Sequence, residues 1–325
     1  MARLKIALEI RGILTGLALV ALPVLVAISV NVGVPGQSLL HSLRFHIGLA
    51  CLVLALLLLL SGARWRAAGL AAIVTVSLAE GGWMLYQQFE RRAPLAQRSV
   101  AGSFELLSFN VLSNNPRGRE LVDFMLLEAP DIMVTMESAA IAPYREQLAA
   151  HFLYRAGCDA EVSCDTAIFS RLPLSETRVH KFGLFQRERL VVARAEVGGR
   201  LVTIVAVHLT KPYFDEMAEV ELELLRAGLQ PLEGPLVLVG DFNAAAWSDT
   251  LVRLGRRLAL APPPALPATW PVRAGDFGVP IDNMFTRGDA LIDTISAVPN
   301  SLGSNHRGLL ARVDVLAPAT ASASP

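Results

Sequence analysis

LVLVGDFNAAAWS, residues 236–248, is the stretch that decides the fold. Its first five residues are apolar or Gly, as in a buried strand, and small residues with a Ser follow, as where a helix begins. The run therefore brings Asp241 and Asn243 to the end of a strand. Side chains two positions apart share a face, so Asp241 can act as a base or metal ligand while Asn243 donates to the same substrate oxygen. A plain Asp-x-Asn turn after a core strand is the alternative.

Further segments repeat this design, an apolar strand that ends in polar groups with no packing role. They supply two amides, two carboxylates and two imidazoles: Asn110, Glu137, His208, Asp282, Asn305 and His306. The sequence has no Cys cluster and no HExxH motif. Carboxylates, amides and imidazoles without thiolates fit a hard cation such as Mg²⁺ together with a phosphate group.

In order and spacing, the motifs FN, ME, a strand-ending HL, GDFN, TWP, ID and S-x-H resemble the endonuclease/exonuclease/phosphatase superfamily, which includes DNase I, abasic-site endonucleases, inositol-polyphosphate phosphatases and neutral sphingomyelinases. The resemblance covers roughly Phe104 to Val315, and GDFN with the final His motif is its specific part. It implies an α/β fold of the DNase I-like type, a β-sandwich of two sheets flanked by helices. It also implies a Mg²⁺-dependent phosphoric ester hydrolase, with Mn²⁺ as a substitute ion.

The resemblance also implies which residues bind the metal. Glu137 would hold the ion with help from Asn110 and from Asn305. The family usually has Asp where this chain has Asn305. An amide keeps the oxygen ligand and loses the charge, so we expect altered metal affinity or altered use of a second metal.

Catalytic roles follow from the same resemblance. Asp241 would orient or deprotonate the attacking water, while Asn243 and His208 donate to the phosphoryl oxygens. Asp282 would orient His306, whose imidazolium would stabilise the pentacovalent state. Whether Asp241 or the pair of His306 and Asp282 is the general base stays open.

The first 89 residues are expected to form a membrane region. The chain is 53% hydrophobic with a mean hydropathy of +0.46, and the excess is concentrated there. About 20 apolar residues cross a bilayer, and three runs predict transmembrane helices over about 12–34, 41–62 and 67–86. The second requires Arg44 and His46 to snorkel, and the third requires Glu80 to face protein or lie near the interface. A cleavable signal peptide is the alternative for the first run.

The orientation rests on two observations. Five Lys and Arg residues lie on the N-terminal side of the predicted spans and four on the other side, which favours a cytoplasmic N-terminus. Cys158 and Cys164 are separated by five residues, a spacing that suits a disulfide-closed loop in an oxidising compartment, although two free thiols are equally compatible. We therefore expect a multi-pass protein of the inner or plasma membrane whose catalytic domain is periplasmic or extracellular.

The remaining chain is expected to comprise a linker over 90–102, one catalytic domain over 103–316 and a disordered tail over 317–325. Short β runs mix with helices, and Gly198 and Gly199 predict a hairpin turn. The chain is expected to be a monomer.

Charge bears on the substrate. From residue 99 onwards there are 20 basic and 26 acidic residues, an excess of six negative charges. Proteins that grip nucleic acid usually present a basic face, so nucleic acid is not favoured as a partner. The expected partners are a phosphoester substrate and the lipid bilayer. Two alternatives remain: a membrane-tethered endo- or exonuclease, and a catalytically weakened binding module on the same fold.

Overall fold

The computed structural model describes residues 2–33, 36–158, 164–182, 186–211 and 215–318. Within these ranges, four helices precede the catalytic domain: α1 (Ala2–Ser29), α2 (Gln37–Ser42), α3 (Arg44–Leu60) and α4 (Arg64–Glu90). Four more lie inside the domain: α5 (Gly118–Glu128), α6 (Arg145–Ala149), α7 (Asp215–Leu229) and α8 (Asp249–Arg257). Most of the predicted tail, from residue 319 on, lies outside the described residues.

The described part of the domain holds eleven strands in two sheets. They are β1 (Val100–Asn110), β2 (Ile132–Met136), β3 (Tyr154–Ala156), β4 (Ala167–Ser170), β5 (Leu174–Phe182), β6 (Arg187–Val197), β7 (Arg200–His208), β8 (Leu236–Asp241), β9 (Asp282–Arg287), β10 (Ala290–Ala297) and β11 (Leu309–Leu316). One sheet has the order β10-β11-β1-β2-β4-β3, and the other has the order β5-β6-β7-β8-β9. The predicted hairpin at Gly198 and Gly199 is confirmed, since it joins β6 to β7.

The two sheets pack face to face, and their inner faces form one apolar core that includes Phe104, Val134, Ile204 and Val239. The central strands β2 and β8 are buried on both faces, because helices cover the outer faces. α5 packs outside the first sheet, and α7 with α8 packs outside the second. The expected α/β sandwich of two mixed sheets flanked by helices is confirmed.

Each sheet contains one parallel pair of strands, and these pairs place the functional side chains. β1 runs parallel to β2, and β7 runs parallel to β8. Parallel neighbours end at the same edge of a sheet. The carboxyl ends of all four strands therefore lie at one end of the sandwich, where Asn110, Glu137, His208 and Asp241 are found.

The N-terminal helices differ from the three expected spans. Two helical stretches, Lys5–Ser29 and Arg64–Gln97, are long and apolar enough to cross a membrane, by length and composition. α3 has only 17 residues, because the separate helix α2 and Leu43 take up the start of the predicted second span. The first helix ends at Ser29 instead of reaching residue 34. The structure thus supplies two helices of spanning length and one shorter apolar helix.

Arg44 does not snorkel, so that expectation was wrong. Its side chain is 2% exposed, and its Nη1 lies 3.4 Å from Oε2 of Glu80 within the bundle. Glu80 thus faces protein, as its helix requires. The pairing explains how two charged residues fit between apolar helices, since an unpaired buried charge would cost several kcal/mol (about 3 to 5).

The helix bundle is joined directly to the catalytic domain. Ser42, the last residue of α2, accepts a hydrogen bond at its hydroxyl from the N–H of Ala245 (3.0 Å) and one at its carbonyl from Nε1 of Trp247 (2.9 Å). Gln88 of α4 donates to the carbonyl of Ala246 (3.1 Å). β1 begins at Val100, inside the predicted linker, so few residues separate the bundle from the domain.

Candidate active site

The end of β8 is shaped by Gly240. Its φ is +145°, and a Cβ at this position would lie 1.8 Å from the carbonyl oxygen of Val207 on β7. Only glycine permits β7 and β8 to approach this closely. The Gly of the GDFN motif therefore sets the positions of His208 and Asp241, which are partners in the strand register.

Asp241 is buried at the centre of the site. Its Oδ1 accepts a hydrogen bond from the N–H of Asn243 (2.8 Å), and its Oδ2 accepts one from Nδ2 of Asn110 (3.0 Å). Burial, followed by the nearby carboxylate of Asp282, raises the pKa of Asp241 above the ordinary value for aspartate. The carboxylate is thus a stronger base than an exposed aspartate.

On one side of Asp241 lies the pair of His306 and Asp282. Nδ1 of His306 lies 2.8 Å from Oδ2 of Asp282, and Nε2 of His306 lies 3.8 Å from Oδ2 of Asp241. Burial opposes the imidazolium, but the charges of Asp282 and Asp241 outweigh it and raise the pKa of His306 to about 9. His306 is therefore protonated at neutral pH.

On the other side lies a second pair, His208 and Asp165, of which the sequence predicted only His208. Nδ1 of His208 lies 2.6 Å from Oδ1 of Asp165, and Nε2 of His208 lies 3.7 Å from Oδ2 of Asp241. Arg189 donates from Nε to the other oxygen of Asp165 (3.3 Å). Burial lowers the pKa of His208, but Asp165 and Asp241 outweigh it, and the net shift is upward. The one sequence signal for Asp165 is a polar Asp-Thr pair directly before an apolar strand.

Glu137 follows the end of β2 in a left-handed conformation, with a φ of +54°. Its Oε2 accepts from the N–H of Ser113 (3.0 Å), and its Oε1 accepts from Nδ2 of Asn110 (3.3 Å). Burial opposes ionisation of Glu137, but these hydrogen bonds and the charge of His208 lower its pKa on balance. Glu137 is therefore ionised at neutral pH.

Asn110 bridges two carboxylates through its amide nitrogen. That nitrogen faces Glu137 and Asp241, whereas the amide oxygen accepts from the N–H of Leu112 (3.1 Å). The oxygen would face the carboxylates only after a half-turn of the amide group. In the observed rotamer, Asn110 positions the acidic groups and does not present an oxygen ligand to a metal.

The site opens into a cleft of about 220 Å³. Among the predicted residues, Glu137, Asp241, Asn243 and His306 line it, and the exposed Asn305 lies at its rim. Asn243 donates from Nδ2 to the carbonyl of Leu209 (2.8 Å), which fixes its side chain. All eight predicted residues thus lie at one end of the sandwich, with Asn305 the most peripheral.

The donors of this cleft fit a hard divalent cation. Asp241, Asp282 and His306 each offer one atom within 4.8 Å of the others. A protonated His306 has no free ring nitrogen for a metal, so the candidate ligands are the carboxylates, including that of Glu137, which also lines the cleft. Oδ1 of Asp282 is buried without a hydrogen-bond partner among the described residues. A buried acceptor of this kind is usually satisfied by water or an ion. Oxygen donors without thiolates suit a hard cation.

Cys158 and Cys164 form a disulfide, while Cys51 is free and buried. The residues between the two half-cystines, 159–163, lie outside the described part. The N–H of Cys158 donates to Oε2 of Glu188 (2.8 Å). Because Cys164 directly precedes Asp165, the disulfide constrains the segment that orients His208.

Comparison with known proteins agrees with this geometry. Residues 107–306 match the Endonuclease/Exonuclease/phosphatase family. No curated protein sequence matches the chain.

Three solved structures show the same fold at low sequence identity. An endonuclease/exonuclease/phosphatase from Beutenbergia cavernae has a TM-score of 0.53 at 17% identity, with 66% of this chain and 72% of that chain covered. D. rerio TDP2 complexed with single-strand DNA product has 0.52 at 19%, with 65% and 98% covered. A Staphylococcus aureus beta toxin has 0.51 at 14%, with 64% and 99% covered.

Proposed function

Because this chain belongs to the endonuclease/exonuclease/phosphatase family, we propose that it is a membrane-anchored, divalent-metal-dependent phosphoesterase. The observation that carries the proposal is the placement of Asp241 between two imidazole–carboxylate pairs. Nε2 of His208 and Nε2 of His306 lie 3.7 and 3.8 Å from the same oxygen of Asp241. This arrangement surrounds one reacting group with a base and two cationic donors.

The reaction is hydrolysis of a phosphodiester or phosphomonoester. Water attacks phosphorus, the bond from phosphorus to the leaving oxygen breaks, and that oxygen takes a proton to become an alcohol. Asp241 accepts the proton of the water. Its raised pKa supports this role, whereas His306, with a pKa of about 9, is already protonated and cannot act as the base at neutral pH.

The two imidazolium groups and one amide act on the phosphoryl oxygens. His208 and Asn243 donate to those oxygens, and His306, oriented by Asp282, stabilises the charge that builds up on them. Asp165 holds His208 in position through the 2.6 Å contact. Each carboxylate partner fixes the orientation of its imidazole and keeps the ring charged.

Glu137 would hold the Mg²⁺ or Mn²⁺ ion, with Asn305 and, after rotation of its amide, Asn110 as neutral oxygen ligands. The bound ion supplies charge neutralisation at a non-bridging phosphate oxygen. The N–H of Ser113 supports this assignment, because its hydrogen bond to Oε2 of Glu137 fixes the orientation of the carboxylate.

We propose that α1, α3 and α4 all cross the membrane. Most of the exposed large apolar side chains among the described residues lie before residue 90, for example Val20, Leu60, Trp65 and Val76. A soluble protein rarely exposes so large an apolar surface. The five Lys and Arg residues on the N-terminal side of the spans, against four on the other side, favour an N-terminus in the cytoplasm. The catalytic domain is periplasmic or extracellular, where a disulfide between Cys158 and Cys164 is stable.

A membrane-tethered nuclease is the second candidate. The similar fold of TDP2, a protein solved with single-strand DNA product, favours it. The excess of six negative charges in the domain opposes it, since binding of a polyanion relies on basic residues. A catalytically weakened binding module is opposed by the intact set of acidic and imidazole groups around Asp241.

The test uses the full-length protein in detergent or nanodiscs with bis(p-nitrophenyl) phosphate and Mg²⁺. Asp241→Asn, Asn243→Ala and His306→Ala should each lower turnover by about 10²-fold or more, because each group acts on the reacting phosphate. Asp293→Asn, an exposed carboxylate on β10, is the matched control and should keep the wild-type rate.

Duplex DNA and single-strand DNA are assayed in parallel with the diester. Near wild-type turnover by any of the three site variants contradicts the role proposed for that residue. Faster hydrolysis of DNA than of every other ester would favour the nuclease. Retention of the full rate in EDTA would contradict metal dependence.

A further inference from the structure

One wall of the catalytic cleft is apolar. Alongside Asp241 and His306, the cleft is lined by Leu39, Leu43 and Trp270. Val279 and Ile281, both buried, continue this wall from the segment before β9. An apolar wall contributes to substrate affinity only when apolar substrate atoms are buried against it. A small hydrophilic phosphoester would therefore gain no affinity from this surface.

The apolar wall comes partly from the helix bundle. Leu39 is in α2, and Leu43 is the residue that joins α2 to α3. Both lie before the catalytic domain in the sequence. α2 is fixed at its start by Gln37, whose Nε2 donates to the carbonyls of Ala27 (2.7 Å) and Val30 (2.7 Å) at the end of α1. The bundle is therefore a structural part of the cleft.

The same helix is fixed at its other end to the loop that carries the catalytic groups. Ser42 bonds to Ala245 and Trp247, two and four residues after Asn243. The ring of Phe45 on α3 packs edge to face on Trp247, with 5.1 Å between the centroids. The bundle and the loop after β8 thus hold each other in place, and the cleft has a fixed position relative to the outward-facing apolar helices.

Exposed aromatic side chains lie near the junction of the bundle and the catalytic domain. His46 on α3 hydrogen-bonds to the carbonyl of Phe277 (2.8 Å), a residue of the catalytic domain whose own side chain is 84% exposed. Trp83 and Tyr86 on α4 are also exposed and stack at a centroid distance of 5.4 Å. Exposed aromatic rings at the end of apolar helices are typical of the lipid–water interface.

From these contacts we propose that the substrate is an amphiphile of the bilayer that carries a phosphoester headgroup. The phosphate lies in the cleft against Asp241 and His306, and the first carbons of its alkyl chain lie against Leu39, Leu43 and Trp270. Lys211, the cationic side chain of the cleft that lies outside the catalytic pairs, faces the anionic headgroup. This inference rests on the proposed phosphoesterase function and adds the class of substrate.

The test compares two diesters that share a leaving group, methyl p-nitrophenyl phosphate and dodecyl p-nitrophenyl phosphate. The full-length protein is assayed in nanodiscs of one composition at fixed lipid concentration. We expect kcat/KM for the dodecyl ester to exceed that for the methyl ester at least tenfold. Leu39→Gln keeps the side-chain length and helix propensity, and it should lower that ratio at least fivefold.

Two further variants separate the cleft from simple partitioning into lipid. Leu43→Gln, at the second bundle residue that lines the wall, should also lower the ratio, and it replaces Leu39→Gln if that variant does not fold. Leu127→Gln is the matched control and should keep the ratio. Leu127 is 82% exposed on α5, just before the amino end of β2, whereas the cleft is at the carboxyl end of that strand.

The outcomes separate this inference from the proposed function. Equal kcat/KM for the two esters overturns the amphiphile inference and leaves the phosphoesterase intact. A dodecyl preference that neither Leu39→Gln nor Leu43→Gln reduces also overturns it, because the alkyl chain then does not contact this wall. Hydrolysis of neither ester, with Mg²⁺ or with Mn²⁺, overturns the proposed function itself.

Discussion

At the residue scale, the chemistry of the site depends on the contacts between three buried carboxylates and two imidazoles. Asp165 and Asp282 each bind one imidazole, and Asp241 lies between the two. Burial and the nearby carboxylate of Asp282 raise the pKa of Asp241, although the two charged imidazoles act in the opposite direction. Different surroundings thus give chemically similar carboxylates different roles, as base and as positioning groups.

The first residue-scale prediction concerns the protonation of His306. In the metal-free protein, ¹³C-histidine NMR should give a pKa of about 9, because Asp282 and Asp241 outweigh burial. Since the folded value lies above the ordinary 6.5, the stabilisation from the charged ring is complete below pH 6.5 and is lost as the pH rises through about 9. Asp282→Asn should lower the pH at the midpoint of this titration, and His306→Gln identifies the resonance because it removes it. An unchanged titration in Asp282→Asn would show that the pair does not form.

The second residue-scale prediction concerns the rim of the cleft. Asn305→Asp should lower the Mg²⁺ concentration that gives half-maximal rate, because a carboxylate binds a hard cation better than an amide does. The measurement is a Mg²⁺ titration of bis(p-nitrophenyl) phosphate hydrolysis. Asn300→Asp, in the same loop between β10 and β11, controls for the added negative charge. Identical metal curves for Asn305→Asp and wild type would place this side chain outside the metal site.

At the element scale, strand ends are what build the site. β1, β2, β7 and β8 are two parallel pairs in different sheets, and the sandwich brings their carboxyl ends together. β9 then runs antiparallel to β8, so that Asp282 at its start lies opposite Asp241 at the end of β8. The geometry of the site depends on strand spacing as much as on the side chains.

Gly240 gives the prediction at this scale. Gly240→Ala should destabilise the domain by about 3 kcal/mol or more, since the new Cβ would collide with the carbonyl of Val207 and push β7 from β8. For a domain of this size the melting temperature should fall by roughly 10 °C in a thermal unfolding scan. Gly228→Ala, on the exposed face of α7 with free space around it, should instead stabilise by about 0.5–1 kcal/mol. A tolerated Gly240→Ala would mean that the two strands are farther apart than described.

At the scale of the whole molecule, the bundle and the catalytic domain form one functional unit. Ser42, Gln88 and Trp247 connect them by hydrogen bonds. α1 approaches the domain, α3 leads away from it and α4 returns to it. With the three proposed crossings, an N-terminus in the cytoplasm would put the cleft on the opposite side of the membrane.

The compartment prediction uses the cysteines. Free thiols are blocked with a permeant reagent in intact cells and again after denaturation, which exposes the buried Cys51, and the protein is then reduced and labelled. Two new thiols per chain should appear, from Cys158 and Cys164, because an oxidising compartment preserves their disulfide. A Cys158→Ser and Cys164→Ser double variant should yield none. Labelling of both cysteines before reduction, or a protease-protected catalytic domain in spheroplasts, would reverse the topology.

The sequence by itself determined the local features. An apolar run predicted the strand that ends at Asp241, and Gly198 with Gly199 predicted the hairpin, because period and turn chemistry are properties of neighbouring residues. The resemblance in motif order implied the sandwich. Strand-end positions also marked Asp241 and His306 before any geometry was known. The apolar N-terminal runs were evident for the same reason.

Only the tertiary structure decided which distant residues meet. Asp165 lies 43 positions from His208, and Ser42 lies more than 200 positions from Trp247, so no local pattern could pair them. The burial of Arg44 against Glu80 likewise depends on how two helices pack. A side chain's neighbours across the fold are set by packing and strand register, and these fixed the second imidazole pair and the apolar wall of the cleft.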